Sequence, residues 1–262
     1  MILLLLLMLL PKVIKHYYLC ADIKIDKVFL LTLKKSTERR NNFLESYTLK
    51  LPLEVIWGEY TKDPEVSKKY EHLVDPTSYS NMYKFDSGEM YRSKMNDFNS
   101  GALGAYLGHL LFYTLSFEQN LNYTMVFEDN VLLLDSFETE LNEALKNIPS
   151  DFDVCFFHTF MNNSELVLNC NDKSIKKISK VMGAKCYLIN VKSMKNYYKY
   201  FLPIDNHVDL KYTDLINQGC NIYYIPLKSV TIQKSKSTIA HTPVLIHPKI
   251  PLDLSMYQFK FN

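Results

Sequence analysis

Arginine is almost missing from this chain of 262 residues: three occur, at positions 39, 40 and 92. The formal net charge is only +2, and no basic tail is visible. Proteins that grip nucleic-acid backbones cluster Lys and Arg far more strongly, so a dedicated nucleic-acid binder is excluded. Cysteine is scarce and odd in number, with five residues at 20, 155, 170, 186 and 220 and no C-x-x-C pair; neither a zinc site nor a disulfide framework is indicated. Cys155 and Cys186 sit in apolar strand-like runs and are expected in the core as small hydrophobes. There is no internal repeat or low-complexity run, and no apolar stretch reaches the roughly 20 residues that span a bilayer. Four lysines between 173 and 180 flank Ile175 and Ile178 in alternation, which reads as the solvated face of a hairpin.

What is present suits one folded domain. With 47% hydrophobic and 22% charged residues, the chain can bury a sizeable core. Residues 26–240 are expected to form that domain, with a hydrophobic segment and lead-in at 1–25 and a tail at 241–262. Residues 1–10 are apolar throughout and match the length of a signal-peptide core, but no basic segment precedes them and no clear cleavage site follows. Three readings stand together: a secretory signal, an interfacial membrane anchor, and an extension with no part in the fold. A secretory or membrane-associated location is the expectation.

Beyond residue 26 the elements alternate as in an α/β domain. Strands are expected at 27–33, 53–57, 153–158, 184–189 and 222–225, a hairpin at 166–169 and 174–179, and helices at 37–47, 137–147, 191–201 and 210–218. Residues 60–98 break the pattern; this segment mixes tyrosines with Asp, Ser, Lys and Pro and reads as a long loop, either a surface insertion or part of a binding pocket.

Two stretches carry chemistry. The apolar run from Tyr123 to Phe127 stops at Glu128-Asp129-Asn130. Open α/β sheets bind ligands beyond the carboxyl ends of their strands, and hard oxygen ligands there suit Mg²⁺ or Mn²⁺, which suit a diphosphate; the alternative is a solvated turn between two strands. Upstream, residues 99–113 read as a buried helix capped by Asn99 or Ser100. Three of only seven glycines lie in it, Gly101, Gly104 and Gly108. A helix-interior glycine costs about 1 kcal/mol relative to Ala, so something should approach the backbone there, either a strand or a nucleotide. His109 beside that face is either a hydrogen-bonded helix histidine or a site residue.

These stretches resemble the glycosyltransferase 25 family of lipooligosaccharide β-galactosyltransferases and collagen hydroxylysine galactosyltransferases. The resemblance runs through a strand at residues 28–33 followed by Thr37-Glu38-Arg39-Arg40, a glycine-rich helix from Gly101 to His109, the acidic strand end Glu128-Asp129-Asn130, and Gly183-Ala184-Lys185-Cys186-Tyr187-Leu188-Ile189 with a helix and Pro203-Ile204-Asp205 after it. Three family positions differ: Ala105 replaces a cysteine, Gly108 a serine, and Asn130 an aspartate. Asn130 offers an oxygen but no charge.

The resemblance implies an α/β fold, a single glycosyltransferase-A-like domain with a mixed, mostly parallel central sheet flanked by helices. It implies inverting, metal-assisted transfer of galactose or glucose from a UDP-sugar to a hydroxyl on a glycan, lipid-linked sugar or hydroxylysine. Mn²⁺ or Mg²⁺ would sit on Glu128, Asp129 and Asn130. Donor contacts are expected from Thr32, Arg39, Arg40, Gly104, Gly108, His109 and Glu128, although either arginine alternatively pairs with a nearby acid. Asp205 is expected as the base that takes the acceptor proton, with Asp209 competing; either alternatively caps the following helix. Lys234 and Lys236 either contact phosphate or are solvated. The rival readings are a catalytically weakened relative that binds nucleotide sugar or glycan, and an unrelated metal-dependent phosphohydrolase.

Overall fold

The computed structural model describes residues 23–87, 98–160, 164–166 and 175–233. Its strands are β1 (Lys27–Thr32), β2 (Leu53–Trp57), β3 (Tyr123–Glu128), β4 (Val131–Leu133), β5 (Val154–His158), β6 (Ser164–Leu166), β7 (Lys176–Ile178), β8 (Cys186–Asn190), β9 (Ile222–Tyr224) and β10 (Val230–Ile232). The helices are α1 (Thr37–Ser46), α2 (Pro64–Lys68), α3 (Pro76–Ser87), α4 (Ser100–Glu118), α5 (Phe137–Leu145), α6 (Val191–Tyr197) and α7 (Val208–Asn217).

Eight strands form one sheet in the order β2-β1-β3-β8-β5-β9-β7-β6, while β4 and β10 make a separate antiparallel ribbon. Pairings β1–β2, β1–β3 and β5–β9 are parallel, and β3–β8, β5–β8, β7–β9 and β6–β7 are antiparallel. Six strands therefore point one way and only β8 and β7 run against them, the mixed, mostly parallel α/β arrangement expected from the sequence.

The inner strands are continuous apolar runs because both sheet faces are covered. Successive residues point to opposite faces, so Val28, Leu30, Met125, Phe127 and Leu188 pack with Phe43 of α1 and Phe137 and Leu141 of α5. Phe29, Val126, Tyr187 and Ile189 face the other way, onto Leu103, Leu107 and Phe112 of α4, Met194 of α6 and Tyr212 of α7. Phe112 meets the rings of Phe29 and Tyr187 edge-on; truncation to Ala there costs about 3–5 kcal/mol. Helix α4 is apolar all round and lies inside the fold. Asn99 caps it by accepting the Ala102 N–H at 2.9 Å. The free cysteines Cys155, Cys186 and Cys220 are buried, and Cys20 and Cys170 lie outside the described residues.

Of the long loop expected at 60–98, the described residues 60–87 are instead largely helical. Two Asp-Pro pairs start the helices: Asp63 accepts the Glu65 N–H and Asp75 the Ser78 N–H, with Pro64 and Pro76 as the first helical residues. Tyr70 is buried, and the Tyr83 hydroxyl bonds both Ser67 and Tyr79. These tyrosines serve packing, and Tyr91 lies outside the described residues.

The expected secretory or membrane-associated location is corrected. Among the described residues no helix is long and apolar enough to cross a membrane, and the apolar run at residues 1–10 that motivated it lies outside them. Lys234 and Lys236 also lie outside.

A Cβ built on Gly104 would stand 2.5 Å from Thr61 Oγ1 and 2.8 Å from the Glu59 carbonyl, whereas one on Gly108 meets only Leu31 Cδ1, at 3.8 Å. The partner that approaches Gly104 is therefore the loop after β2. Gly104→Ala should lose about 1–3 kcal/mol through overpacking, and Gly108→Ala should keep or gain up to about 1 kcal/mol, measured by denaturant unfolding.

Candidate functional site

Strands β2, β1 and β3 are parallel, so their carboxyl ends share one edge, and the loops leaving them line a single cleft. Leu31 to Leu33 come from β1, Gly58 to Lys62 follow β2, and Glu128, Asp129 and Asn130 close β3; Gly101, Gly104, Ala105, Gly108 and His109 of α4 form one wall, and Arg39 and Lys185 complete the lining.

Asp129 is the most heavily bonded group in the cleft. Its Oδ1 lies 2.7 Å from an Arg39 guanidinium nitrogen, and its Oδ2 accepts the Thr32 hydroxyl at 2.7 Å. Its N–H donates to the Leu31 carbonyl at 3.0 Å, and its carbonyl accepts from the Gln233 amide at 3.1 Å. Gln233 also donates to the carbonyls of Arg39 and Val131. Asp129 and Asn130 do form a turn between strands, and that turn is pinned from three sides.

Glu128 faces Lys185. The antiparallel register pairs Phe127 with Cys186, so the next residues outward stand opposite each other; the Glu128 N–H donates to the Lys185 carbonyl at 2.9 Å and the ammonium reaches Oε2 at 2.5 Å. His109 Nε2 lies 3.6 Å from Oε1, and its Nδ1 is 2.7 Å from the Tyr187 hydroxyl. The Tyr187 ring packs against that of Tyr212, with centroids 5.6 Å apart, and the Tyr212 hydroxyl is hydrogen-bonded to that of Tyr113 at 2.6 Å. Burial alone would raise the Glu128 carboxyl, but Lys185 and His109 hold it down at about 2. Burial raises Asp129 instead, and Arg39 and Thr32 only partly offset it.

The residues do not fit the expected divalent ion. Among the described residues no three His, Cys, Asp or Glu side chains are grouped to hold a metal. Both Asp129 oxygens are already bonded, Glu128 carries an ammonium, and Asn130 contributes a buried but neutral Oδ1 that has no hydrogen-bond partner among the described residues.

The cleft thus gathers Thr32, Arg39, Gly104, Gly108, His109, Glu128, Asp129 and Asn130 from the sequence expectations. It leaves out Arg40, whose guanidinium bonds the carbonyls of Leu33 and Lys34 and stands over Trp57. It also leaves out both expected bases. Asp205 is ion-paired with Lys211 at 2.7 Å with its side chain 45% exposed, and Asp209 accepts the Gly183 N–H at 2.6 Å and caps Leu210. Lys185, Gln233, Gly58 and Glu59 were not singled out in the sequence, whereas residues 60–62 belong to the 60–98 segment expected as a surface insertion or part of a binding pocket, and they line the cleft. Lys185 falls inside the Gly183 to Ile189 match and was open to notice as a charge at the mouth of a buried strand.

A family model described as "Glycosyltransferase family 25 (LPS biosynthesis protein)" matches residues 25–212. The chain belongs to glycosyltransferase family 25. It is 31% identical over 138 residues to the lipooligosaccharide biosynthesis protein lic2B of Haemophilus influenzae, across 45% of this chain and 50% of that protein. The chain thus spans about half the length of this curated relative. Among solved structures it is similar to mouse xyloside xylosyltransferase 1 in its apo form, at 8% identity and a TM-score of 0.41 over 78% of this chain and 85% of that one. It is also similar to A197 from STIV, at 9% identity and a TM-score of 0.36 over 86% and 99%.

Because Glu128 titrates near 4.5 when unfolded and at about 2 when folded, its stabilising contribution is full above the first value and lost as pH falls toward the second. The excess thermal midpoint of the native protein over Glu128→Gln should therefore shrink steadily across that window. Parallel pH profiles for the two proteins would refute the ion pair.

Proposed function

We propose that this chain is a glycosyltransferase that moves a hexose, galactose or glucose, from a UDP-sugar to a hydroxyl acceptor with inversion, on a glycosyltransferase-A-like fold with the donor in the cleft described above. The observation that carries this reading is convergence: three separate segments of the family resemblance, the Arg39 helix start, the Gly101 to His109 helix and the Glu128 strand end, meet around one cleft at the carboxyl edge of parallel strands.

In such a transfer the acceptor oxygen attacks the anomeric carbon, the bond to the UDP oxygen breaks, and the acceptor proton passes to a base. Arg39 is available to orient phosphate oxygens while Asp129 fixes its guanidinium. The close packing of Gly104 against Glu59 and Thr61 sets the width of the cleft. Asp205 and Asp209, as paired here, do not supply the base. The acceptor is a hydroxyl of a glycan, lipid-linked sugar or hydroxylysine. A second reading, a relative that binds the donor without transferring it, is favoured by the saturated acids and by Asn130.

Thermal unfolding with a panel of UDP-sugars tests the reading. Ligand at about 100 times its Kd adds roughly 2.7 kcal/mol, which should raise the midpoint by several degrees for UDP-galactose or UDP-glucose. Arg39→Ala should remove most of that rise. No shift with any nucleotide sugar sinks the proposal, and a shift without UDP release in the presence of acceptor supports the binding relative.

A further inference from the structure

We infer that this cleft carries its cation within the chain: Lys185, paired with Glu128, stands where a divalent ion would be held, and the donor diphosphate binds without metal. The inference rests on the donor-site reading above and deepens it.

The sheet register is the first support. Lys185 lies directly across β3 and β8 from Glu128, so the ion pair is a cross-strand pair set by the backbone. Both side chains are largely withdrawn from water, at 11% and 19% exposure, and the ammonium also lies 5.8 Å from the centre of the Phe160 ring. Turning Glu128 toward a metal would leave that ammonium shielded from solvent and unpaired, and would place a second cation beside it.

The second support is the neighbouring acid. Asp129 is spent on Arg39 and Thr32, and taking its carboxylate for a metal would free the guanidinium and break the tie to the end of β1. Asn130 brings no charge to make up the difference. A divalent ion would thus meet neutralised carboxylates and an amide.

Thirdly, the cleft lining carries as many cations as acids, three of each, so it holds no surplus negative charge for a divalent ion, and a further cation stands beside it. Arg39, Lys62 and Lys185 line it, and the Lys35 ammonium sits on the face of Tyr60, 3.0 Å from the ring centre. The acids among them are Glu59, Glu128 and Asp129. Burial first, and then the charges of Lys62 and Arg39, hold the Lys35 ammonium down at about 8, and a bound diphosphate would offset the second of these.

The test measures binding of UDP by calorimetry and of Mn²⁺ by paramagnetic resonance, on the full chain and on Lys185→Met. The native protein should bind UDP in EDTA with an affinity within about threefold of that in Mn²⁺, and should take up no Mn²⁺ alone or with UDP. Lys185→Met should lose at least about tenfold in UDP affinity in EDTA and should gain a Mn²⁺ site that depends on Glu128. One Mn²⁺ per native chain, lost in Glu128→Gln, or UDP binding that requires Mn²⁺, overturns the inference. Failure of UDP to bind under any condition overturns the donor-site reading and with it metal-free diphosphate binding; Mn²⁺ uptake by native chain and variant still decides whether Lys185 occupies the ion's place. If Lys185→Met does not fold, the native protein's response to Mn²⁺ decides alone.

Discussion

The carboxylate of Asp129 is the joint on which the cleft depends. Through Thr32 it is tied to the end of β1, through Arg39 to the start of α1, and through its own carbonyl to Gln233 at the end of β10. Three stretches far apart in sequence, residues 32–39, the turn itself and Gln233, are therefore registered by one side chain and its backbone. A buried acid is costly when unpaired, so the turn is stable only while all of these partners are in place. The same requirement makes the cleft floor rigid, a condition for any site that must orient a phosphorylated ligand.

Glu128 and Asp129 are adjacent yet point to different chemistry because strand and turn treat them differently. Glu128 is still in the sheet ladder and finds its cation across the strand pair. Asp129 has left the ladder and finds its own from a helix. Burial opposes ionisation of both; Lys185 and His109 overcome it at Glu128, while Arg39 and Thr32 fall short at Asp129. The motif that looks like two equivalent acids in one dimension is two separate ion pairs in three.

The legible parts of the fold were those written in local pattern. Strands β1, β3, β5 and β8 were visible as apolar runs because the sheet is covered on both faces, and α4 was visible from its apolar surface and the Asn99 cap. The clustering of Thr32, Arg39, His109 and the acids followed from placing strand ends at one edge. Long-range facts were not legible. Lys185 meets Glu128 only through a register set between residues 57 apart. Arg39 and Arg40 are indistinguishable in a string, but successive helical residues point about 100° apart, so only one faces the cleft. Asp205 resembled a base by position, and its pairing with Lys211, only six residues on in α7, was by contrast a local contact. The Asp-Pro pairs at 63–64 and 75–76 were a readable helix signal that the surrounding polar composition obscured.

Packed contacts running from Glu128 through His109 and Tyr187 to Tyr212 join the cleft to α7, a helix none of whose residues lines it. Two separate hydrogen-bonded pairs, His109 with Tyr187 and Tyr113 with Tyr212, meet where the Tyr187 and Tyr212 rings pack together. The mutational neighbourhood of the site is therefore wider than its visible walls. A Tyr→Phe exchange at position 212 keeps that packing and takes a partner only from Tyr113, whereas a smaller residue there would loosen the Tyr187 ring that holds the imidazole. In a lineage free to drift, the buried face of that helix would evolve under the constraint of chemistry performed in the cleft.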